Sequence, residues 1–302
     1  MSATPVGDAR ILERGYRSYD GPRTGVRGAM VSLTRHSVQR VLGLKRTFWN
    51  KILPFGAIFL AYVPAIVFVG AAVFLKGRFA NRGLDVSDII PSYGVYYQYV
   101  WAAIFVFGAF AAPEVLCTDR RTGMLGLYLA SPLRRDTYLM AKGAAVGLVL
   151  GLVTLGPPLL MLVARTVAGV GPDGITGFLS ILWRVVVGGV IVATLLAAVS
   201  LAIASTTSRR AAASAAFILV TIGSWVITEA LISAGASANL FVADLLFLPL
   251  ELVGRLFGEI PGQILPSAAT VPTANLILAY VLVTVALLAF VRFRYQRIQV
   301  TR

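Results

Sequence analysis

Long apolar runs recur along this chain, separated by short polar intervals, and each is about the length needed to cross a hydrocarbon core of about 30 Å. The pattern predicts six membrane-crossing helices near residues 52–75, 93–116, 137–165, 181–205, 211–233 and 272–291. The third run carries Pro157-Pro158, a pair that should kink the helix or end it early. Pro54 and Pro64 predict bends in the first run, and Gly188-Gly189 predicts a close helix contact in the fourth.

Three stretches depart from this rhythm. Residues 26–49 mix Arg and Lys with Val, Leu, Phe and Trp at helical spacing, which predicts an amphipathic helix lying in the membrane interface. The same residues also fit a positive flank that only sets topology. Residues 234–271 are too many for a tight connector and too apolar for a solvated loop. They predict one or two short helices in the outer leaflet, partly re-entrant, with Glu251, Arg255 and Glu259 spaced to share one face. The third stretch, residues 113–142, is a compact charged interval between the second and third apolar runs.

Composition strengthens this picture. The chain is 58% hydrophobic and only 13% charged, where a soluble domain would carry roughly 25% charge. The fold class is therefore an all-α polytopic membrane protein with six transmembrane helices. An interfacial helix precedes them, a cytoplasmic helix joins spans two and three, and a helical outer loop joins spans five and six. Residues 1–51 form the N-terminal segment, 52–291 the membrane domain and 292–302 a short basic tail. Placing the N-terminus inside puts 21 of the 27 Lys and Arg residues on the inner side, so both termini are expected in the cytoplasm. The net charge of +14 then reflects topology and attraction to anionic lipid, and no nucleic-acid partner is expected. Only four of the basic residues are lysines; with the Ala, Gly and Val richness, this suggests a GC-rich bacterial source and a bacterial cytoplasmic membrane.

Candidate chemistry is sparse. A single cysteine, Cys117, forbids an internal disulfide, and with a single histidine, His36, a His/Cys metal cluster is excluded. There is no GxxxxGK[ST] phosphate loop, no HExxH and no intramembrane Ser/His pair. The chain is not expected to be an enzyme or to bind a cofactor or metal of its own.

Within 113–142, Pro113-Glu114 closes the second run and Asp119-Arg120-Arg121 follows. After Thr122-Gly123 come the apolar Met124, Leu125, Leu127 and Leu129; Ser131-Pro132 stops that segment, and Arg134-Arg135 lead on to Lys142. These residues predict a short helix along the inner membrane face whose leucines fill a partner's groove. An ordinary charged loop would explain the charges but not the apolar middle. The pattern resembles the coupling-helix region of ABC-2 type transporter permeases. It is carried by Glu114, Asp119, Arg120, Arg121, Gly123, Leu125, Leu129, Ser131, Pro132, Arg135 and Lys142. Met124 and Gly126 depart from that family's common threonine and acidic residue. The stretch 16–23 (YRSYDGPR) also resembles a leader in some bacterial members.

The resemblance implies a permease subunit that exports a hydrophobic or amphipathic substrate, such as a drug or lipid. It implies a separate cytoplasmic ATPase subunit that binds ATP and Mg and docks on the coupling helix. It also implies a dimer with a second or paralogous permease copy. An ion-gradient-driven transporter and a non-transporting scaffold are the alternatives. In the fifth run Ser214, Thr221, Ser224, Thr228 and Glu229 lie near one face, which is either a transport pathway or a packing surface.

Overall fold

The computed structural model describes residues 21, 25–44, 48–79 and 91–298. The 16–23 leader, apart from Gly21, lies outside the described residues, as does the end of the basic tail. Among the described residues eleven α-helices follow in order: α1 Gly25–Val41, α2 Trp49–Phe79, α3 Tyr93–Ala112, α4 Thr118–Arg121, α5 Met124–Ala130, α6 Arg135–Thr154, α7 Gly156–Val167, α8 Gly174–Ala204, α9 Arg210–Ser233, α10 Leu248–Phe257 and α11 Thr273–Arg297. No strand occurs among the described residues.

Among the described residues, six stretches are long and apolar enough to cross a membrane: Lys51–Lys76, Tyr93–Arg121, Arg135–Val167, Gly174–Ala204, Arg210–Ser233 and Thr273–Arg297. Each lies on one of the six predicted runs. Helices satisfy every backbone group internally, which hydrocarbon demands. The second and fourth spans are mostly buried and form the bundle's centre, while the first, fifth and sixth leave most of their surface open.

Three boundaries differ from the sequence expectation. The second span does not stop at residue 116. It continues through a π turn at Pro113–Cys117 into α4, so Asp119 sits on a helix and not in a loop. Pro113 has no N–H to give the Ala109 carbonyl, and the turn that starts there widens. The predicted tail is helical as far as Arg297. The predicted interfacial helix ends at Val41 and packs on α6, burying Leu33, Ser37 and Val41.

The third span breaks where the prolines predicted. α6 ends at Thr154, Leu155 intervenes, and α7 opens with Pro157 in its first turn. Pro158 cannot donate to the Thr154 carbonyl, and the Tyr97 hydroxyl donates to it instead at 2.9 Å. The Tyr62 hydroxyl donates to the Leu152 carbonyl at 3.1 Å. Gly189 brings α8 against this break: a Cβ there would lie 2.3 Å from a Leu155 methyl. α2, by contrast, runs as one helix through Pro54 and Pro64.

The segment between the fifth and sixth spans sinks into the protein. Every residue from 248 to 254 in α10 is buried, chiefly against α8, α3 and α11. Phe247 lies between Trp101 and Trp225, with ring centroids at 6.0 and 5.5 Å. Trp101 is eight residues inside α3 and Ser224 nine from the end of α9, so this segment sits about 13 Å within the bundle at 1.5 Å per residue. Its charges are neutralised locally. Glu251 accepts from Arg255 Nε at 2.9 Å and from the Gly262 N–H at 3.0 Å, while Arg255 also donates to the Val271 and Ala268 carbonyls. Glu259 leaves this group and accepts from Ser92 at the start of α3.

Candidate docking face and the ion network beneath it

The helix ends carrying Arg40, Arg121, Arg134, Arg209 and Arg297 define a basic end of the bundle. There, Gly123 adopts a left-handed conformation (φ +68°) that lets the chain turn from α4 into α5. Ser131-Pro132 ends α5, and the Arg134 N–H donates to Thr137 Oγ1 at 2.8 Å as α6 begins.

This segment has two faces. Arg121, Gly123, Leu127, Ser131, Pro132 and Arg134 are exposed, and Leu129 is half-buried. Leu127 is 66% exposed and lies outside the six membrane-crossing stretches. Leu125, two residues away and on the other side of so short a helix, belongs to the hydrophobic core. The leucines therefore do not share one exposed surface: Leu127 is open, Leu129 is half-buried and Leu125 is in the core.

The opposite face is a buried ion network. Asp119 has no exposed side-chain surface. Its Oδ1 accepts from Arg40 at 2.6 Å, and its Oδ2 accepts from Lys142 Nζ at 2.7 Å and from the Tyr138 hydroxyl at 3.0 Å. Lys142, equally buried, also donates to Ser37 Oγ at 3.0 Å and lies 5.2 Å from the centre of the Tyr128 ring. Burial, followed by the charge of Asp119, pushes the Tyr128 phenol up, while Arg40 pulls it down. Arg40 lies 3.7 Å from Glu114 as well, and Glu114 pairs with Arg210 of α9. One arginine thus ties α1 to both carboxylates of the second span.

The remaining cations staple helix ends. Arg120 donates to the Ser205 carbonyl at 2.6 Å and the Thr207 carbonyl at 3.2 Å. Arg135 donates to the carbonyls of Tyr295 at 3.3 Å and Ile298 at 3.1 Å, at the C-terminus of α11, where a cation is favoured. Of the adjacent pair Arg120-Arg121, only Arg121 faces outward. Sequence reasoning missed Arg40, Ser37, Tyr138 and Arg210. Arg40 stands 79 residues from Asp119, and nothing in the local pattern joins them.

The fifth-span residues divide. Thr221 and Thr228 are buried and donate to Phe217 and Trp225 of their own helix. Ser224 donates to the Thr221 carbonyl and accepts from the Leu245 N–H at 3.0 Å, pinning the sunken segment to α9. These three form a packing face. Ser214 instead lines a cavity of about 310 Å³ with Arg40, Glu114 and Arg210. Glu229 is half-buried and contributes to raising the carboxyl of Asp244, which burial above all pushes up to about 6. Asp244 Oδ1 accepts from the Leu246 and Phe247 N–H groups; its Oδ2 is buried with no hydrogen-bond partner.

These features define the class: an integral membrane protein with six membrane-crossing helices. No family model matches the chain, and no curated protein matches it.

Proposed function

We propose that this chain is the membrane-spanning subunit of an ATP-driven transporter of the ABC-2 type, with α5 as the element that a separate ATPase subunit grips. Both termini then face the cytoplasm, the membrane is a bacterial cytoplasmic membrane, and the assembly contains a second permease copy. The observation that carries this reading is the two-faced segment at the basic end. Leu127 stands out, flanked by Arg121 and Arg134, while Asp119, Arg120 and Arg135 tie the same segment to α1, α6, α11 and the α8–α9 turn. A handle gripped from outside must be bonded rigidly to what it moves. Export of a hydrophobic or amphipathic substrate rests on the family resemblance.

The test is Leu127→Asp in cells and in reconstituted vesicles. We expect the spans to remain folded, the ATPase to be lost on co-purification, and ATP-dependent transport to disappear. Undiminished ATPase binding and transport would sink the docking assignment.

One observation favours a second reading, an ion-gradient-driven transporter: the buried Asp244 with an unpartnered oxygen. Transport that survives ATP depletion and is abolished by Asp244→Asn would establish that reading in place of the first.

A further inference from the structure

A groove of about 650 Å³ runs between α6, α8 and α11, well within the range of ligand sites. Its walls are apolar, with Leu139, Met140, Ala198 and Leu288 among them. Its mouth at the basic end carries Asp136 and Arg292, joined by hydrogen bonds of 3.0 and 3.2 Å. From Asp136 to Gly147 the groove follows α6 for about 17 Å at 1.5 Å per residue. That is close to one leaflet's share of a hydrocarbon core of about 30 Å. The floor is open: a Cβ at Gly147 would meet nothing within 4 Å, and one at Gly143 would meet only a Leu201 methyl at 3.9 Å.

We propose that this groove holds an acyl chain of an anionic glycerophospholipid, with the lipid phosphate on Arg292. The dimensions fit an acyl chain: the groove runs about one leaflet along α6, its floor is open at Gly143 and Gly147, and it ends in a charged mouth. The charge argues for an anionic head. Arg292 and Asp136 are both more than half exposed, so their pairing is weak and a phosphate competes for the guanidinium readily. Asp136 is the one carboxylate lining the mouth, while Arg134, Arg135, Arg294 and Arg297 occupy the same helix ends. The site is independent of the ABC-2 reading and would be occupied in a protein that transports nothing.

The full chain reconstituted in phosphatidylcholine vesicles doped with phosphatidylglycerol, released gently and weighed by native mass spectrometry, tests this. Phosphatidylglycerol should be retained on the chain in preference to phosphatidylcholine. A Cβ at Gly147 meets nothing within 4 Å, and leucine is a better helix former than glycine, so Gly147→Leu should not lower the melting point while retention falls about tenfold, the equivalent of two buried methylenes. Arg292→Gln should weaken retention about five-fold and abolish the headgroup preference. Equal retention of both lipids by the unaltered chain would overturn the headgroup assignment, and unchanged retention in Gly147→Leu would overturn the groove. Disulfide cross-linking of two chains through Met140→Cys would show that a second copy covers the groove, and would also overturn the proposal.

Discussion

Two stretches interrupt the six-span bundle, one at each end, and they solve the same problem in opposite ways. Residues 113–135 and 237–272 both contain a short apolar helix bounded by Gly, Pro and charge. At the basic end the charges go inward and the helix stays outside: Asp119 and Lys142 are wholly buried beneath α5, and Leu127 stands in the open. At the other end the helix goes inward with its charges: α10 is buried from 248 to 254, and its Glu251–Arg255 pair travels with it. The first arrangement leaves an apolar side chain, Leu127, in the open. The second uses its apolar surface to fill the protein's own interior.

The largest effect should come from removing Asp119. Asp119→Ala leaves Lys142 buried without its counter-charge, a loss of about 3–5 kcal/mol, read as a fall in thermal or denaturant midpoint in detergent. Replacing both partners, Asp119→Leu with Lys142→Met, should recover most of that loss. If the double replacement is as unstable as the single, the network matters for more than charge neutralisation.

Next, with the opposite sign, comes Asp244. Its carboxyl titrates near 6 in the folded protein, above the ordinary 3.8, so the folded state holds the proton more tightly. The contribution of Asp244 to stability should therefore be full below pH 4, fall as pH rises through 6, and level off above it. The total is on the order of 3 kcal/mol. Asp244→Asn keeps an acceptor for the Leu246 and Phe247 N–H groups. It should remove this slope and melt higher than the unaltered chain at pH 7.

A smaller loss, about 1–3 kcal/mol, is expected for Glu251→Ala, because Arg255 keeps its three partners in the 268–273 segment. Smallest of all should be Leu127→Asp, within about 0.5 kcal/mol on stability despite its effect on docking. A large destabilisation there would mean that α5 is covered within the protein itself and that the contrast between the two ends is false.

Much of the fold was legible because hydrophobic length is a local property, and apolar runs of bilayer length have few other uses. Pro157-Pro158 marked the break for the same reason: a missing N–H acts on its own helix. The site was only half legible. Leu125 and Leu127 look alike in sequence, and α5 is too short for periodicity to separate its faces. Arg40, Lys142 and Arg210 each counted towards topology, which used their sign and concealed their partners. The depth of α10 was hidden because Glu251 and Arg255 read as surface residues until their pairing with each other was visible, and because nothing local marks Asp244 as buried.

The members of the ion network also arrive in a fixed order during synthesis. α1 leaves the ribosome first and carries Arg40; Asp119 follows 79 residues later, and Lys142 later still. Until Lys142 is in place, Asp119 is held by Arg40 of α1 and by the Tyr138 hydroxyl, with no lysine between α1 and the second span. Lys142 adds the bond to Ser37 and a second ion pair to Asp119, so every member of this clasp comes from the first half of the chain.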